Sequence, residues 1–121
     1  MILLNFTYPL TVQQQRQIQE LLSLDNLQVR EVHHIFLYDE SFVSQAKDAF
    51  DRMELSGDDI EHGEFLVMPP GHPAAAVAIV LEVGRRTGHV PLCVRLKRAT
   101  PKYTKPARFD VAEIMRFEGG V

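Results

Sequence analysis

Three observations predict an α/β fold, a doubly wound and mostly parallel sheet flanked by helices in a single domain over residues 1–121. Strand-like apolar runs alternate with segments of helical period, in the order strand–helix–strand–helix–strand–helix–strand. The first run, residues 1–6, is apolar and stops at a turn, which suits a strand buried on both faces of a parallel sheet. A chain of 121 residues with 45% apolar and 24% charged residues is one ordinary globular domain, long enough to bury a core without disulfide or metal staples.

The elements follow in order. Thr11 and Gln14 have capping-box spacing and open a helix over 12–22, with Ile18, Leu21 and Leu22 on one face. Residues 29–38 read as the second strand, polar at its start and apolar at its end. Ser41 caps a second helix whose buried stripe is Phe42, Ala46, Ala49, Phe50 and Met53. Ser56 starts one further helical turn within the acidic stretch 54–63, and residues 64–68 form the third strand.

Pro69, Pro70, Gly71, His72 and Pro73 make a sharp, rigid loop that feeds a third long helix over 74–86, closed by Gly88 as its C-cap. That helix is apolar almost all round, so it is expected to be enclosed or to lie at a subunit contact. Residues 91–97 form a fourth strand and 98–107 a basic loop. Residues 111–117 are either a last strand or a short helix, and periodicity does not separate the two.

The net charge of −3 conceals a separation along the chain. Residues 1–83 carry four Lys/Arg against thirteen Asp/Glu. Residues 84–108 carry eight basic residues (Arg85, Arg86, Arg95, Lys97, Arg98, Lys102, Lys105, Arg108) and no acid. This predicts a positive surface for an anion. It argues against a double-stranded DNA binder, because the rest of the molecule repels a phosphate backbone. The single cysteine, Cys93, rules out a disulfide framework or a Cys-x-x-Cys motif within the chain and reads as a buried core thiol. The longest apolar stretch, residues 74–81, is far shorter than the ~20 residues a membrane span needs. The N-terminal run has no basic leader, and a cytoplasmic location is expected.

In a doubly wound sheet, ligands bind beyond the carboxyl ends of the strands. Two segments fall there: Asn5, Phe6, Thr7 and Tyr8 after the first strand, and Pro69 to His72 after the third. An amide at Asn5 suits an adenine edge or a ribose hydroxyl, Thr7 adds a hydroxyl, and Phe6 or Tyr8 offers a ring for stacking. Gly71 lets the backbone pass close to a ligand, and the small Ala74, Ala75 and Ala76 leave the following helix N-terminus open to a phosphate, with His72 at its mouth. The same residues also suit a plain turn at Asn5, core aromatics, and a rigid loop into a buried helix. Both readings stand on the residues alone. No Walker or GxGxxG spacing occurs, so no nucleotide cofactor is expected. His33 and His34, adjacent on a strand, point to opposite faces, and His62, His72 and His89 lack zinc spacing, so no metal is expected. No serine-nucleophile motif is present.

Taken in order, residues 1–7, then Pro9-Leu10-Thr11, Pro69-Pro70-Gly71, Gly84-Arg85, Gly88-His89, Pro91 and Arg95-Leu96 resemble a small CRISPR-associated Csx family of type III loci, the fifteenth in that naming series. The resemblance covers nearly the whole chain. It implies a Rossmann-like domain that binds cyclic oligoadenylate, a homodimer with cyclic tetra-adenylate at its two-fold axis, and a protein that lowers the free concentration of this messenger. It implies Asn5, Phe6 and Thr7 as ligand contacts, together with Gly71 and the amides beyond it, and Arg85 and His89 as pocket or dimer residues. Tyr8 stands where the family pattern often has His, and Arg86-Thr87 is an unusual filling between Gly84 and Gly88.

Two activities are consistent with these residues. The first is sequestration of cyclic tetra-adenylate, with the ligand-binding set Asn5, Phe6, Thr7, Tyr8, Pro70, Gly71, His72, Ala74, Ala75, Arg85, His89 and Arg95. The second is metal-independent cleavage to linear products with a 2′,3′-cyclic phosphate, with His72 as acid or base and Arg85 or Arg95 neutralising the phosphate. Cleavage ranks second because no further proton-transfer partner is evident. A third reading, a subunit whose basic segment docks on an acidic partner or on single-stranded RNA, has only Tyr103 and Phe109 near that segment for stacking.

Overall fold

β1 (Ile2–Asn5), buried over its whole length, lies inside a five-stranded sheet in a computed structural model that describes residues 1–116. The strands are ordered β2-β1-β3-β4-β5, where β2 is Gln28–Glu31, β3 is Phe65–Met68, β4 is Leu92–Arg98 and β5 is Phe109–Met115. β1 pairs in parallel with β2 and β3, and β3 with β4. β5 closes the far edge antiparallel to β4, with a register shift between Arg95 and Leu96. The helices are α1 (Val12–Leu22), α2 (Phe42–Met53), α3 (Gly57–His62) and α4 (Pro73–Thr87).

Alternation along the strands divides the core into two layers. Ile2, Leu4, Phe65 and Val67 face α2 and α4, where they pack on Ala46, Ala49, Phe50, Ala78, Ile79 and Val83. Leu3, Leu66, Met68 and Val94 face the other way, toward Ile18 of α1. The helix starts obey local chemistry. Thr11 and Gln14 form the reciprocal capping box, each backbone N–H donating to the other's side chain at 3.0 Å. Ser41 and Ser56 cap α2 and α3, and Gly88 ends α4 with φ +80° in the left-handed region.

Four expectations change. The second strand ends at Glu31 rather than at residue 38. β2 is an edge strand, and its only partner among the described residues, β1, ends at Asn5, whose carbonyl accepts the last ladder bond from Val32 N–H. Beyond that point the backbone has nothing to pair with, and Gln45 of α2 takes both polar groups of Leu37 instead. Residues 109–115 are a strand, with Val111 and Ile114 turned toward α1; Phe117, the end of the expected element, lies outside the described residues. Leu21 is exposed, because the buried line on α1 runs Gln14–Ile18–Leu22 at a spacing of four. α4 is not enclosed: Ala75, Ala78, Ile79 and Val83 face the core, while Val77 and Leu81 face outward, more than half exposed.

Candidate functional site

The chain reverses direction across the sheet between β1 and β3, since β1 leads to β2 on one side and β3 to β4 on the other. In sheets of this kind the carboxyl edge at such a reversal is where ligands are held. Phe6 N–H donates to Met68 O at 3.0 Å and ties the two strand ends together.

Asn5 is fully buried and builds the turn that follows it. Its Nδ2 donates to Tyr8 O and to Glu31 Oε2, both at 2.9 Å, and its Oδ1 accepts Thr7 N–H at 3.1 Å. Both amide donors are therefore spent inside the protein. Phe6 is buried as well, with its ring 6.2 Å from that of Phe50. The expected direct contacts from Asn5 and Phe6 thus become support for the loop. Thr7 and Tyr8 are what the turn presents, and Tyr8 is 87% exposed.

The second loop presents Gly71 and His72, both exposed, beside half-buried Pro70. His72 is the N-cap of α4, and its Nδ1 accepts Ala74 N–H at 3.2 Å. Nδ1 is then the acceptor nitrogen, and a neutral ring carries its proton on Nε2, free to donate outward. The His72 ring sits 5.1 Å from Tyr38 and 5.2 Å from Phe42. This cap alters the expected phosphate cradle. Pro73 has no N–H, Ala74 is taken by the His72 side chain, and Ala76 by His72 O, which leaves Ala75 N–H as the first-turn donor without a partner among the described residues. The Ala75 side chain itself is fully buried.

The third contribution comes from the loop between β4 and β5. Because β4 runs parallel to β3, Lys97 and Arg98 end it at the same carboxyl edge. Arg98 holds the loop from within, donating to the carbonyls of Thr100, Pro101 and Thr104 at 3.1–3.3 Å. Lys97, Lys102, Lys105 and Arg108 are exposed along it. A 190 Å³ cavity joins this loop to the first one, with Thr7, Tyr8, Leu10, Leu96, Arg108 and Phe109 among its lining residues. Gln14 and Gln17 of α1 lock the arrangement. Gln14 Nε2 donates to Phe109 O and Gln17 Oε1 accepts Val111 N–H, both at 2.8 Å.

The other expected residues do not join them. Arg85 lies eleven residues along α4 from Ala74, about 16 Å at 1.5 Å per residue, toward the amino edge of the sheet. His89, past the end of α4, lies there too. Arg85 and Arg86 both bind buried Glu82, at 2.5 and 2.6 Å, and Arg86 also binds Asp51 at 2.7 Å. The hydrogen bond from Arg85 holds the Glu82 carboxyl below its ordinary range against the opposing effect of burial, and Arg86 adds to it. Arg95 pairs at 2.6 Å with Glu113, its register neighbour on β5. The basic segment 84–108 is therefore not one surface. Four of its arginines, Arg85, Arg86, Arg95 and Arg108, are matched with acids outside the segment, and the cations at the carboxyl edge are Lys97, Arg98, Lys102, Lys105 and Arg108, the last paired with Asp110 at 3.8 Å.

Sequence reasoning missed Gln14, Gln17 and Gln45, the amides that hold the loops. The available signal was a glutamine on a buried helix line, as Gln14 is, one turn before Ile18. It also missed Tyr38 beside His72, because residue 38 was assigned to a strand. His33 and His34 lie beyond the end of β2, so strand alternation does not separate them, and both line a cavity along that edge. Among the described residues no group of three or more His, Cys, Asp or Glu converges to hold a metal, and no helix is long and apolar enough to cross a membrane. Comparisons with protein-family models, with curated proteins and with solved structures found no match to this chain.

Proposed function

We propose that this chain binds cyclic tetra-adenylate at the carboxyl edge of its sheet and holds it, damping type III CRISPR signalling by lowering the free messenger. The observation that carries the reading is the cavity shared by Thr7 and Tyr8 after β1 and by Arg108 of the basic loop after β4, at the same edge of the sheet to which β3 delivers Gly71 and His72. Phosphodiesters require donors and positive charge, and adenines require flat exposed rings, which Tyr8 and the Tyr38–His72 pair provide. The strand order with its reversal between β1 and β3 supports reading the domain as Rossmann-like. A homodimer would set two such edges on one ligand, since a two-fold axis suits a cyclic tetranucleotide. The absence of a long apolar helix among the described residues accords with a cytoplasmic place of action.

Cleavage to products with a 2′,3′-cyclic phosphate is the second reading. It rests on exposed His72, whose neutral ring carries its proton on Nε2 once Nδ1 accepts from Ala74 N–H. It stands behind binding because its other candidates are engaged, Arg85 with Glu82 at the opposite end of α4 and Arg95 with Glu113.

The test mixes labelled cyclic tetra-adenylate with excess protein in EDTA and divides the sample between native and denaturing gels. A shifted band with intact ligand recovered after an hour supports sequestration. Linear products on the denaturing gel replace it with metal-independent cleavage. A sample that shows no shift and no cleavage removes the cyclic oligoadenylate reading altogether.

A further inference from the structure

A cavity of 280 Å³ lies between the β2 edge and α2, lined by Arg30, Glu31, His33, His34, Arg52 and Met53 among others. Residues 1–83 contain only four Lys/Arg against thirteen Asp/Glu, yet two of those four cations, Arg30 and Arg52, meet here. Neither forms an ion pair among the described residues, although acids are abundant in that part of the chain.

Both guanidiniums are instead positioned by neutral acceptors. Arg30 donates to Met53 O at 3.1 Å, and Arg52 Nε donates to Asp48 O at 3.4 Å. Arg52 also approaches His34 Nδ1 at 3.4 Å, while His34 Nε2 lies 3.3 Å from Gln45 Oε1. A guanidinium only donates, so Nδ1 accepts and the His34 proton sits on Nε2, facing the glutamine oxygen. The chain Gln45–His34–Arg52 thus orients one cation, while the carbonyl at the end of α2 orients the other. Glu31 is the one acid in the lining, and its Oε2 is occupied by Asn5.

We propose that this cavity is a separate oxyanion site that takes a phosphate group of the monoester class. Two oriented guanidiniums supply more donors than a carboxylate can accept, and they match a dianionic tetrahedral oxyanion that takes paired N–H bonds. A phosphodiester carries one charge and two non-bridging oxygens per phosphate, whereas a monoester brings close to two charges and three acceptor oxygens. None of Thr7, Tyr8, Gly71, His72 or residues 97–108 lines this cavity, so it shares no lining residue with the carboxyl-edge loops.

The test titrates the intact protein with inorganic phosphate at constant ionic strength, following the histidine ring signals by NMR and the heat by calorimetry. A saturable one-site response at His33 and His34 is expected, weakened about tenfold or more in Arg52→Gln, a loss of about 1.4 kcal/mol. Arg16→Gln, on exposed α1 surface, keeps wild-type binding. Arg52 is exposed, so its replacement leaves the fold intact, and an unfolding curve for each variant verifies this. A parallel titration with adenosine monophosphate identifies the source. Equal affinity points to free phosphate, and tighter binding to a nucleotide monoester; both keep the site. No saturable response to either probe, or equal binding by Arg52→Gln and wild type, overturns it. Arg52→Gln should still capture cyclic tetra-adenylate on a native gel, so loss of this site and loss of the carboxyl-edge reading are separate results.

Discussion

Asn5 and Glu31 face each other in register on β1 and β2, and the Asn5 amide donates to the Glu31 carboxylate at 2.9 Å with its own side chain wholly buried. The same amide fixes the Thr7–Tyr8 turn, so one side chain couples the sheet edge to the loop that is offered to ligand. Asn5→Ala strands Thr7 N–H and Tyr8 O and should cost about 2 kcal/mol. Glu31→Gln keeps an acceptor oxygen for Asn5 and should cost under about 1 kcal/mol. Urea unfolding of the two variants checks this. An Asn5→Ala protein as stable as wild type would show that the turn holds itself.

Glu82 is buried on α4 and charged, held by Arg85 and Arg86. Its pKa in the folded protein lies below the ordinary 4.5, chiefly through the Arg85 hydrogen bond. A depressed carboxylate stabilises fully above the unfolded value, and that contribution disappears as pH falls through the folded value. Glu82→Gln should therefore lose roughly 1–3 kcal/mol near neutrality, at the low end because Arg85 is largely solvated and screened. The gap from wild type should narrow as pH drops below 4.5. Denaturant midpoints at neutral pH and near pH 3 test it, and a gap that stays constant across that range rejects the assignment.

The order of elements was legible because each depends on nearby residues. The capping box at Thr11, the serine caps and the Gly88 stop are all decided within a few positions, and the central strands β1 and β3 announce themselves as apolar runs. The end of β2 was not legible, because it depends on where β1 ends. Residues 32–38 look like strand and lack a partner. The site was legible as two loops and wrong in its cations. Charge counted along the chain cannot register that Glu82 reaches both Arg85 and Arg86, or that Glu113 faces Arg95 across a sheet whose last strand was itself undecided.

His72 performs two tasks that substitutions can separate. Its Nδ1 caps α4, and its Nε2 side and ring face outward beside Tyr38. His72→Asn keeps a capping oxygen, so its stability should stay within about 0.5 kcal/mol of wild type, while His72→Ala should lose about 1 kcal/mol. His72→Asn loses the ring but keeps an amide donor, His72→Ala loses both, and both should capture cyclic tetra-adenylate more weakly, Ala the more so. Melting curves and native gels on the same preparations read the two tasks. Wild-type capture by His72→Asn would exclude the ring, and wild-type capture by His72→Ala would remove His72 from the binding face.

The lysines of the β4–β5 loop should matter for ligand and not for fold. Lys102 and Lys105 are exposed and form no ion pair among the described residues. Replacing both with Gln should leave stability within about 0.5 kcal/mol. Capture should weaken, and the slope of log affinity against log salt should become shallower by about 0.7 for each phosphate that is no longer neutralised. Weaker capture with an unchanged slope would mean that these side chains act on the loop's shape rather than on phosphate.

Gly71 gives the sharpest separation of fold from ligand. A Cβ built there meets no atom within 4 Å, and its backbone is not left-handed, so nothing inside the chain demands glycine. Gly71→Ala should be neutral or raise stability by up to about 1 kcal/mol, because it narrows the unfolded ensemble without straining the folded one. The open space points away from the protein at the carboxyl edge, where the ligand is proposed to pass. If backbone and ligand meet closely there, Ala should weaken capture and Gly71→Val should weaken it further, at unchanged thermal stability. Undiminished capture by both variants would move the ligand off this loop and toward the cavity at Tyr8 and Arg108.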